Sequence, residues 1–290
     1  MKIFLYTRKI ESEYHEAVIG FIDFLVRQGC TLYTHETLKT FVFGSDWLEQ
    51  LTVLESPNDL DGIDLAVAIG GDGTVLELAR YTGHWRIPLV GVNTGRLGFL
   101  SLIKMQTVKE NFAQIINQEF DIEHRSFIEV MVNDEEVSNL PKALNEVAIL
   151  GHPHNTMISV HAYVNDIFLA TYWADGLMLA TPTGSTAYSL SCGGPILSPE
   201  VNGFVITPIA PHNLNVRPLI IPISQKVTFI PESREGKFMM SIDGQSHYIS
   251  NGTKITMQRS TIELRLVRLK EEHFFDTIRN KMGWGFDQRN

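Results

Sequence analysis

The run Leu65-Ala66-Val67-Ala68-Ile69, followed at once by Gly70-Gly71-Asp72-Gly73-Thr74, constrains this chain more than any other feature. Consecutive apolar residues with no polar face are what a strand buried on both sides requires, as in a parallel sheet covered by helices. The glycines permit a tight turn. Val75, Leu76, Leu78 and Ala79 then begin a helical period that Gly83 can close, and Pro88-Leu89-Val90-Gly91-Val92 reads as the next strand. Upstream, Lys2 to Tyr6 reads as a first strand. Val18, Phe21, Ile22, Leu25 and Val26 recur at helical spacing within Glu13 to Gln28, and Gly29 is placed to end that helix. Thr107 and Glu110 have capping-box spacing ahead of Phe112, Ile115 and Ile116. Alternating strands and helices of this kind build an α/β domain with a parallel sheet.

The texture changes near Phe120. Phe127 to Val132, Leu144 to Leu150, Met157 to Val164 and Ile167 to Tyr172 are strand-like, with turns at Asn133-Asp134 and Asn165-Asp166 and hairpins expected at Asp243-Gly244 and Asn251-Gly252. Glu271 to Met282 regains helical character and can return to the first domain. The expected organisation is an α/β N-terminal domain with a parallel sheet over residues 1–120, a predominantly β domain over 121–270, and a C-terminal segment, 271–290, packing on the first. A chain of 290 residues suits two cores.

Composition narrows the function classes. Hydrophobic residues at 44% and charged residues at 20% exclude a disordered or fibrous chain. A net charge of −9 argues against a nucleic-acid surface, which needs clustered cations, while leaving room for a small anionic ligand in a local amide-rich pocket. Cys30 and Cys192 lie in no metal or redox spacing, which suits a reducing compartment. The N-terminal apolar run is too short for a signal segment and no later run approaches membrane-spanning length, so a cytoplasmic location is expected. His152 and His154, separated by proline, are given no metal role.

Two segments concentrate chemistry. Gly70, Gly71, Gly73 and Thr74 bring backbone amides and a helix N-terminus to one place, which is how phosphates are held. A bare Gly-Asp-Gly serves equally well as a tight turn in which Asp72 caps the helix. No Gly-x-x-x-x-Gly-Lys-Ser/Thr occurs in the chain, and Asn93-Thr94-Gly95-Arg96-Leu97-Gly98 has Asn where a dinucleotide fingerprint needs its first glycine. The second segment runs from Asp175 to Pro195. Its hydroxyls between Thr181 and Thr186, with Tyr188, could line a polar pocket for ribose or phosphate and stack on a base, or could simply form a capped Ser/Thr-rich loop.

The combination of GGDGT, NTGRLGFL, LNEV and DGLMLATPTGSTAYSLSCGGPIL closely resembles the NAD kinase family. The likeness continues through Ile206 to Pro222, SIDGQ at Ser241 to Gln245, and the closing FFDTIRNKMGWG. Lipid and sugar kinases share the GGDGT turn alone, whereas Asn145-Glu146 and the Thr183 to Pro195 block favour a dinucleotide. A non-catalytic nucleotide sensor is a rival reading, and Asp72 counts against it, since a carboxylate beside phosphates repels them.

The resemblance implies transfer of phosphate from ATP, or polyphosphate, to the 2′-hydroxyl on the adenosine ribose of NAD, giving NADP, at a site between the domains. It implies Asp72 as the proton acceptor and a divalent cation, Mg²⁺, held through ATP. It assigns Gly73, Asn145, Glu146, Thr183, Thr186, Ala187, Tyr188, Ser189, Leu190, Ser191 and Gln245 to nucleotide binding, and Asp175 to a ligand contact across the interface of a homodimer or homotetramer. Trp173 stands where many bacterial relatives carry a basic residue, which opens the choice between NAD and NADH.

Overall fold

Short apolar runs become the strands of a parallel sheet: β1 (Lys2–Tyr6), β2 (Thr31–Thr34), β3 (Leu51–Val53), β4 (Leu65–Ile69), β5 (Pro88–Asn93) and β6 (Ile103–Lys104). The spatial order is β3-β2-β1-β4-β5, with β6 also beside β5 and every pair parallel. Helices α1 (His15–Arg27), α2 (Glu36–Phe41), α3 (Asp72–Trp85) and α4 (Val108–Ile116) connect them. The structure is a computed structural model and describes residues 1–41, 51–56, 59–136, 140–151, 157–233, 236–270 and 273–285. His152 and His154 lie outside the described residues.

Helix α1 buries Val18, Phe21, Ile22 and Leu25, the stripe that its period predicts, in a core that also takes Leu5, Val67 and Phe112. The Phe21 and Phe112 rings meet edge-on at 4.7 Å. Each such side chain contributes about 1.5–3 kcal/mol on burial. Two local expectations change. Gly83 is buried within α3, which ends at Trp85 with Arg86 in the left-handed conformation (φ +56°). The Thr107–Glu110 capping box does not form. A 3₁₀ turn over Met105–Thr107 precedes α4, and Thr107 Oγ1 bonds Lys104 O rather than a helix amide.

Connections from β1 lead outward to β2 and β3, then return past β1 to β4, so the winding direction reverses between β1 and β4. A crevice opens at the carboxyl ends of strands at such a reversal. Arg8 and Lys9 follow β1, and Gly70 follows β4.

The remaining strands are β7 (Phe120–Val132), β8 (Glu135–Glu136), β9 (Glu146–Leu150), β10 (Ile158–Val164), β11 (Ile167–Ala174), β12 (Gly176–Ala180), β13 (Gly203–Ile209), β14 (Leu219–Pro222), β15 (Val227–Glu232), β16 (Lys237–Ile242), β17 (Gln245–Ser250) and β18 (Ile255–Leu269). A one-turn helix α5 (Tyr188–Ser191) precedes β13, and α6 (Phe274–Met282) closes the chain. The protein divides into two compact units, one of Met1–His124 with Glu263–Asn290 and the other of Arg125–Ile262. The C-terminal helix is thus part of the α/β unit, where the end of β18 pairs parallel to β5.

The second unit is antiparallel. One sheet runs β14-β13-β12-β9-β16-β17; β11, β10, β15 and the first part of β18 form another. Inward residues of both, among them Val147, Val160, Leu177, Phe204, Phe229, Phe238 and Met257, share one core. The Asn133-Asp134 and Asn165-Asp166 turns have both residues at positive φ, as two-residue hairpins require. They repeat one device: each Asn side chain accepts a lysine backbone N–H (Lys254, Lys226) and each Asp pairs with that lysine's ammonium. Asp243-Gly244 turns β16 into β17 as expected, but Asn251-Gly252 closes no hairpin, because β17 and β18 belong to different sheets.

Candidate functional site

In the α/β unit, Asp72 is the first residue of α3, directly after the N-cap Gly71. Its side chain does not cap that helix. Oδ1 accepts the N–H groups of Leu100 (3.0 Å) and Ser101 (3.0 Å) and the Ser101 hydroxyl (3.1 Å), while Oδ2 accepts the Phe99 N–H (2.8 Å). The carboxylate therefore fastens the NTGRLGFL loop against the glycine turn. Gly98 is required at this seam, since a Cβ there would fall on Asp72 Oδ1. Asn93 shapes the loop's other end. Its Oδ1 accepts Gly95 N–H at 2.8 Å and its Nδ2 donates to Arg96 O at 2.7 Å, so an Asx turn stands where a dinucleotide fingerprint would have glycine. Burial alone would raise the proton affinity of Asp72. The amides of Ser101, Phe99 and Leu100, with the Lys281 ammonium, outweigh it and hold the carboxyl below its ordinary 3.8.

Between the two glycine-rich loops lies a cleft of about 570 Å³, lined by Gly70, Gly71, Gly73, Thr74, Asn93, Thr94 and Gly95 and flanked by the cations Arg8, Lys9 and Arg96, with Glu11 paired to Lys9 at its rim. Backbone amides, a helix N-terminus and three cations suit a polyphosphate.

In the β unit, Asn145 and Glu146 stand at the entrance to β9. Asp243 organises them: its carboxylate accepts the N–H groups of Leu144 (2.7 Å), Asn145 (2.8 Å) and Glu146 (3.1 Å). Glu146 is 8% exposed and its Oε2 has no hydrogen-bond partner among the described residues. Burial, and then the Asp243 charge, push its carboxyl up to about 8, against the pull of the Tyr188 backbone N–H. A neutral Glu146 keeps an O–H that can donate to a ligand.

The hydroxyl-rich block folds over this pair. Gly184 packs so tightly on the Asn145 carbonyl that a Cβ would overlap it. Most of the block's hydroxyls are spent on its own shape: Thr181 Oγ1 donates to Leu144 O, Ser185 Oγ to Pro182 O and Thr186 Oγ1 to Thr183 O, Ser189 pairs with Thr207, and Thr183 accepts Arg125. Thr186, Ala187, Tyr188, Leu190 and Ser191 keep exposed surface, while Thr183 and Ser189 are buried. Asp175 lies near enough to Tyr188 to raise its phenol, behind the larger effects of burial and Cys192. Gln245 is exposed beside the Asp243 turn, and Trp173, 54% exposed, lies on β11, an end strand of its sheet.

Residues 8–120 match the model of the ATP-NAD kinase N-terminal domain, and residues 144–269 that of the ATP-NAD kinase C-terminal domain. The NAD kinase of Cytophaga hutchinsonii is 39% identical over 271 residues, 93% of this chain and 88% of that protein. The chain belongs to the NAD kinase family. Bacteroides fragilis NAD kinase is 44% identical over 232 residues, 80% of each chain. Among solved structures, yeast NADH kinase complexed with NADH has a TM-score of 0.88 at 25% identity, covering 99% of this chain and 88% of that one. An NAD kinase from Archaeoglobus fulgidus in complex with ATP has 0.73 at 23% identity, covering 97% and 99%.

Within this family member, the α/β unit brings Asp72, Gly70, Gly71, Gly73 and Thr74 together, and the β unit gathers Asn145, Glu146, Tyr188 and Asp175. Sequence reasoning missed Arg8, Lys9 and Asp243. Arg8 and Lys9 could have been found from their place just after the first strand, where α/β sheets bind ligands. Asp243 could not, since Asp-Gly is also ordinary turn chemistry.

Proposed function

We propose that this chain phosphorylates the 2′-hydroxyl of the adenosine ribose of NAD with ATP, giving NADP. Asp72 carries the proposal. It stands beside the phosphate-sized cleft, with Oδ1 taken by three donors and Oδ2 by one, so Oδ2 retains a lone pair for a hydroxyl proton. Its low proton affinity suits a loose transition state, in which the nucleophile's proton leaves late and orientation matters more than basicity.

The glycine-rich α/β unit takes the triphosphate at Gly70, Gly71, Gly73 and Thr74, and the β unit takes the dinucleotide through Asn145, Glu146, Thr186, Ala187, Tyr188, Ser191 and Gln245. Leu190, which keeps exposed surface, belongs with these contacts, while Thr183 and Ser189 are buried, their hydroxyls bonded to Arg125 and Thr207, and support the block. No group of three or more His, Cys, Asp or Glu among the described residues is arranged to hold a metal. Mg²⁺ would be bound mainly through ATP phosphate oxygens, the hard donors it prefers, and there supplies charge neutralisation. The protein acts in the cytoplasm as a homodimer or homotetramer, with Asp175 reaching a ligand of the neighbouring subunit, and Trp173 bears on the choice between NAD and NADH. No helix among the described residues is long and apolar enough to cross a membrane.

Purified protein incubated with ATP, Mg²⁺ and NAD should yield NADP, followed with an NADP-specific dehydrogenase. No NADP with any divalent metal would refute the proposal, and parallel reactions with polyphosphate or NADH define donor and acceptor. Asp72→Asn should keep nucleotide binding and lose turnover by at least about 100-fold, on the order expected for a general base.

A further inference from the structure

The glycine turn is followed by no Walker lysine, yet a phosphoryl group in transfer concentrates negative charge that a cation must meet. The cations nearby differ in what holds them. Arg8 Nε lies 2.9 Å from Glu77 Oε2 and Lys9 Nζ lies 2.8 Å from Glu11 Oε1, so both have close carboxylate partners. Lys281 is held differently. Phe274 and Lys281 are two helical turns apart on one face of α6. The Phe274 ring centroid is 6.4 Å from that of Phe99, and Lys281 Nζ stands 4.5 Å from the Phe99 ring centroid. The same ammonium is 3.6 Å from Asp72 Oδ2, beyond hydrogen-bond reach, so the carboxylate does not consume its N–H donors. A pair built for stability alone would gain by closing to about 2.8 Å. The aromatic face instead holds the ammonium, 34% exposed, with no hydrogen-bond partner among the described residues, beside the one carboxylate oxygen with acceptor capacity to spare.

We infer that Lys281 is a further catalytic residue of phosphoryl transfer, its ammonium contacting the transferred phosphoryl group beside Asp72 Oδ2. This rests on Asp72 acting on the ribose hydroxyl. In that reaction the ribose oxygen bonds to the γ-phosphorus of ATP, the bond from that phosphorus to the β,γ-bridging oxygen breaks with its electron pair leaving on ADP, and the hydroxyl proton passes to Asp72 and then to solvent. The equatorial oxygens of the phosphoryl group carry the spread charge, and a compact ammonium with three donors is suited to them. The C-terminal helix thereby supplies from the far end of the chain what a P-loop supplies next to its glycines.

The test is steady-state kinetics of the full chain carrying Lys281→Met, Lys281→Gln or Lys281→Arg, with ATP and NAD varied at saturating Mg²⁺, beside Asp72→Asn. Lys281→Met should lower kcat about 100-fold while KM for NAD stays within about threefold, and Lys281→Arg should restore about a tenth of the lost turnover, in keeping with removal and partial return of one transition-state charge. Lys281→Gln retains a polar side chain of similar reach, carries the same expectation, and decides the matter if thermal melts show Lys281→Met unfolded. Turnover of Lys281→Met or a folded Lys281→Gln close to that of the unaltered enzyme, with Asp72→Asn inactive, overturns the inference. Full turnover of Asp72→Asn overturns the Asp72 reading itself.

Discussion

Replacing Glu146 by Gln tests the electrostatics of the β unit. Its carboxyl has an ordinary value of 4.5 and is pushed to about 8, first by burial and then by Asp243. Between these two values the native state binds this proton and the unfolded state does not, so stability falls as pH rises through the window. Below 4.5 both states hold the proton; above 8 neither does. At about 1.4 kcal/mol per pH decade the full interval amounts to about 5 kcal/mol, and local relaxation around an ionised Glu146 reduces this to roughly 3–5 kcal/mol. Glutamine has nearly the shape of the neutral acid and does not titrate. The difference in unfolding free energy between Glu146→Gln and the parent should therefore grow in the variant's favour by about that amount between about pH 4.5 and 8.5. Urea denaturation at fixed ionic strength, with hydrogen exchange in β9 reporting on the β unit, measures it. Any constant penalty from the new amide cancels in the pH dependence. Parallel curves over this range would refute the reasoning, because they would mean that Glu146 is already ionised at about pH 5 and well solvated.

Asp243→Ala should destabilise the β unit by about 3–5 kcal/mol, since the N–H groups of Leu144, Asn145 and Glu146 lose their acceptor at once; denaturant midpoints followed at β9 check this, and a loss under about 1 kcal/mol would show that water replaces the carboxylate without cost. Removing the Asp243 charge should also lower the Glu146 carboxyl from about 8, so that any pH dependence of NAD affinity moves to lower pH, as titration calorimetry can follow. Gly98→Ala should cut turnover by about 100-fold or more while NAD affinity changes little, because its Cβ would displace the Asp72 carboxylate and an ångström's displacement is worth about that factor; a variant with normal kcat would show that the carboxylate's placement is not critical.

Legibility in the sequence followed the range over which each interaction acts. Leu65–Ile69 and the α1 stripe could be read because burial leaves its mark within a few residues, as continuous apolar runs or a helical period. The Asn133-Asp134 turn could be read because positive φ is a local demand on residue type. The Thr107 cap and the Asn251-Gly252 hairpin misled because the same dipeptides or spacings serve several local geometries, and neighbouring structure chose between them. The site itself is organised at longer range. Asp72 reaches amides 27 to 29 residues ahead, and Asp243 reaches amides 97 to 99 residues back. Each is the aspartate of an Asp-Gly pair, and each gathers three consecutive backbone N–H groups, of the loop Phe99 to Ser101 in one case and of the entry into β9 in the other. Leaving one such group buried and unpaired costs about 1–3 kcal/mol, so three on a single carboxylate give a loop nearly the fixity of regular structure. In the α/β unit the segment so held is Phe99 to Ser101, beside the phosphate cleft; in the β unit it is Leu144 to Glu146, at the expected dinucleotide contacts. Preferences of the first helical turn at Asp72 and of the hairpin turn at Asp243 explain why an aspartate stands in either place. They do not explain why a carboxylate rather than an amide is needed, and that follows from the three backbone donors each one meets, with the Ser101 hydroxyl a fourth at Asp72, since asparagine would present one oxygen where the carboxylate presents two.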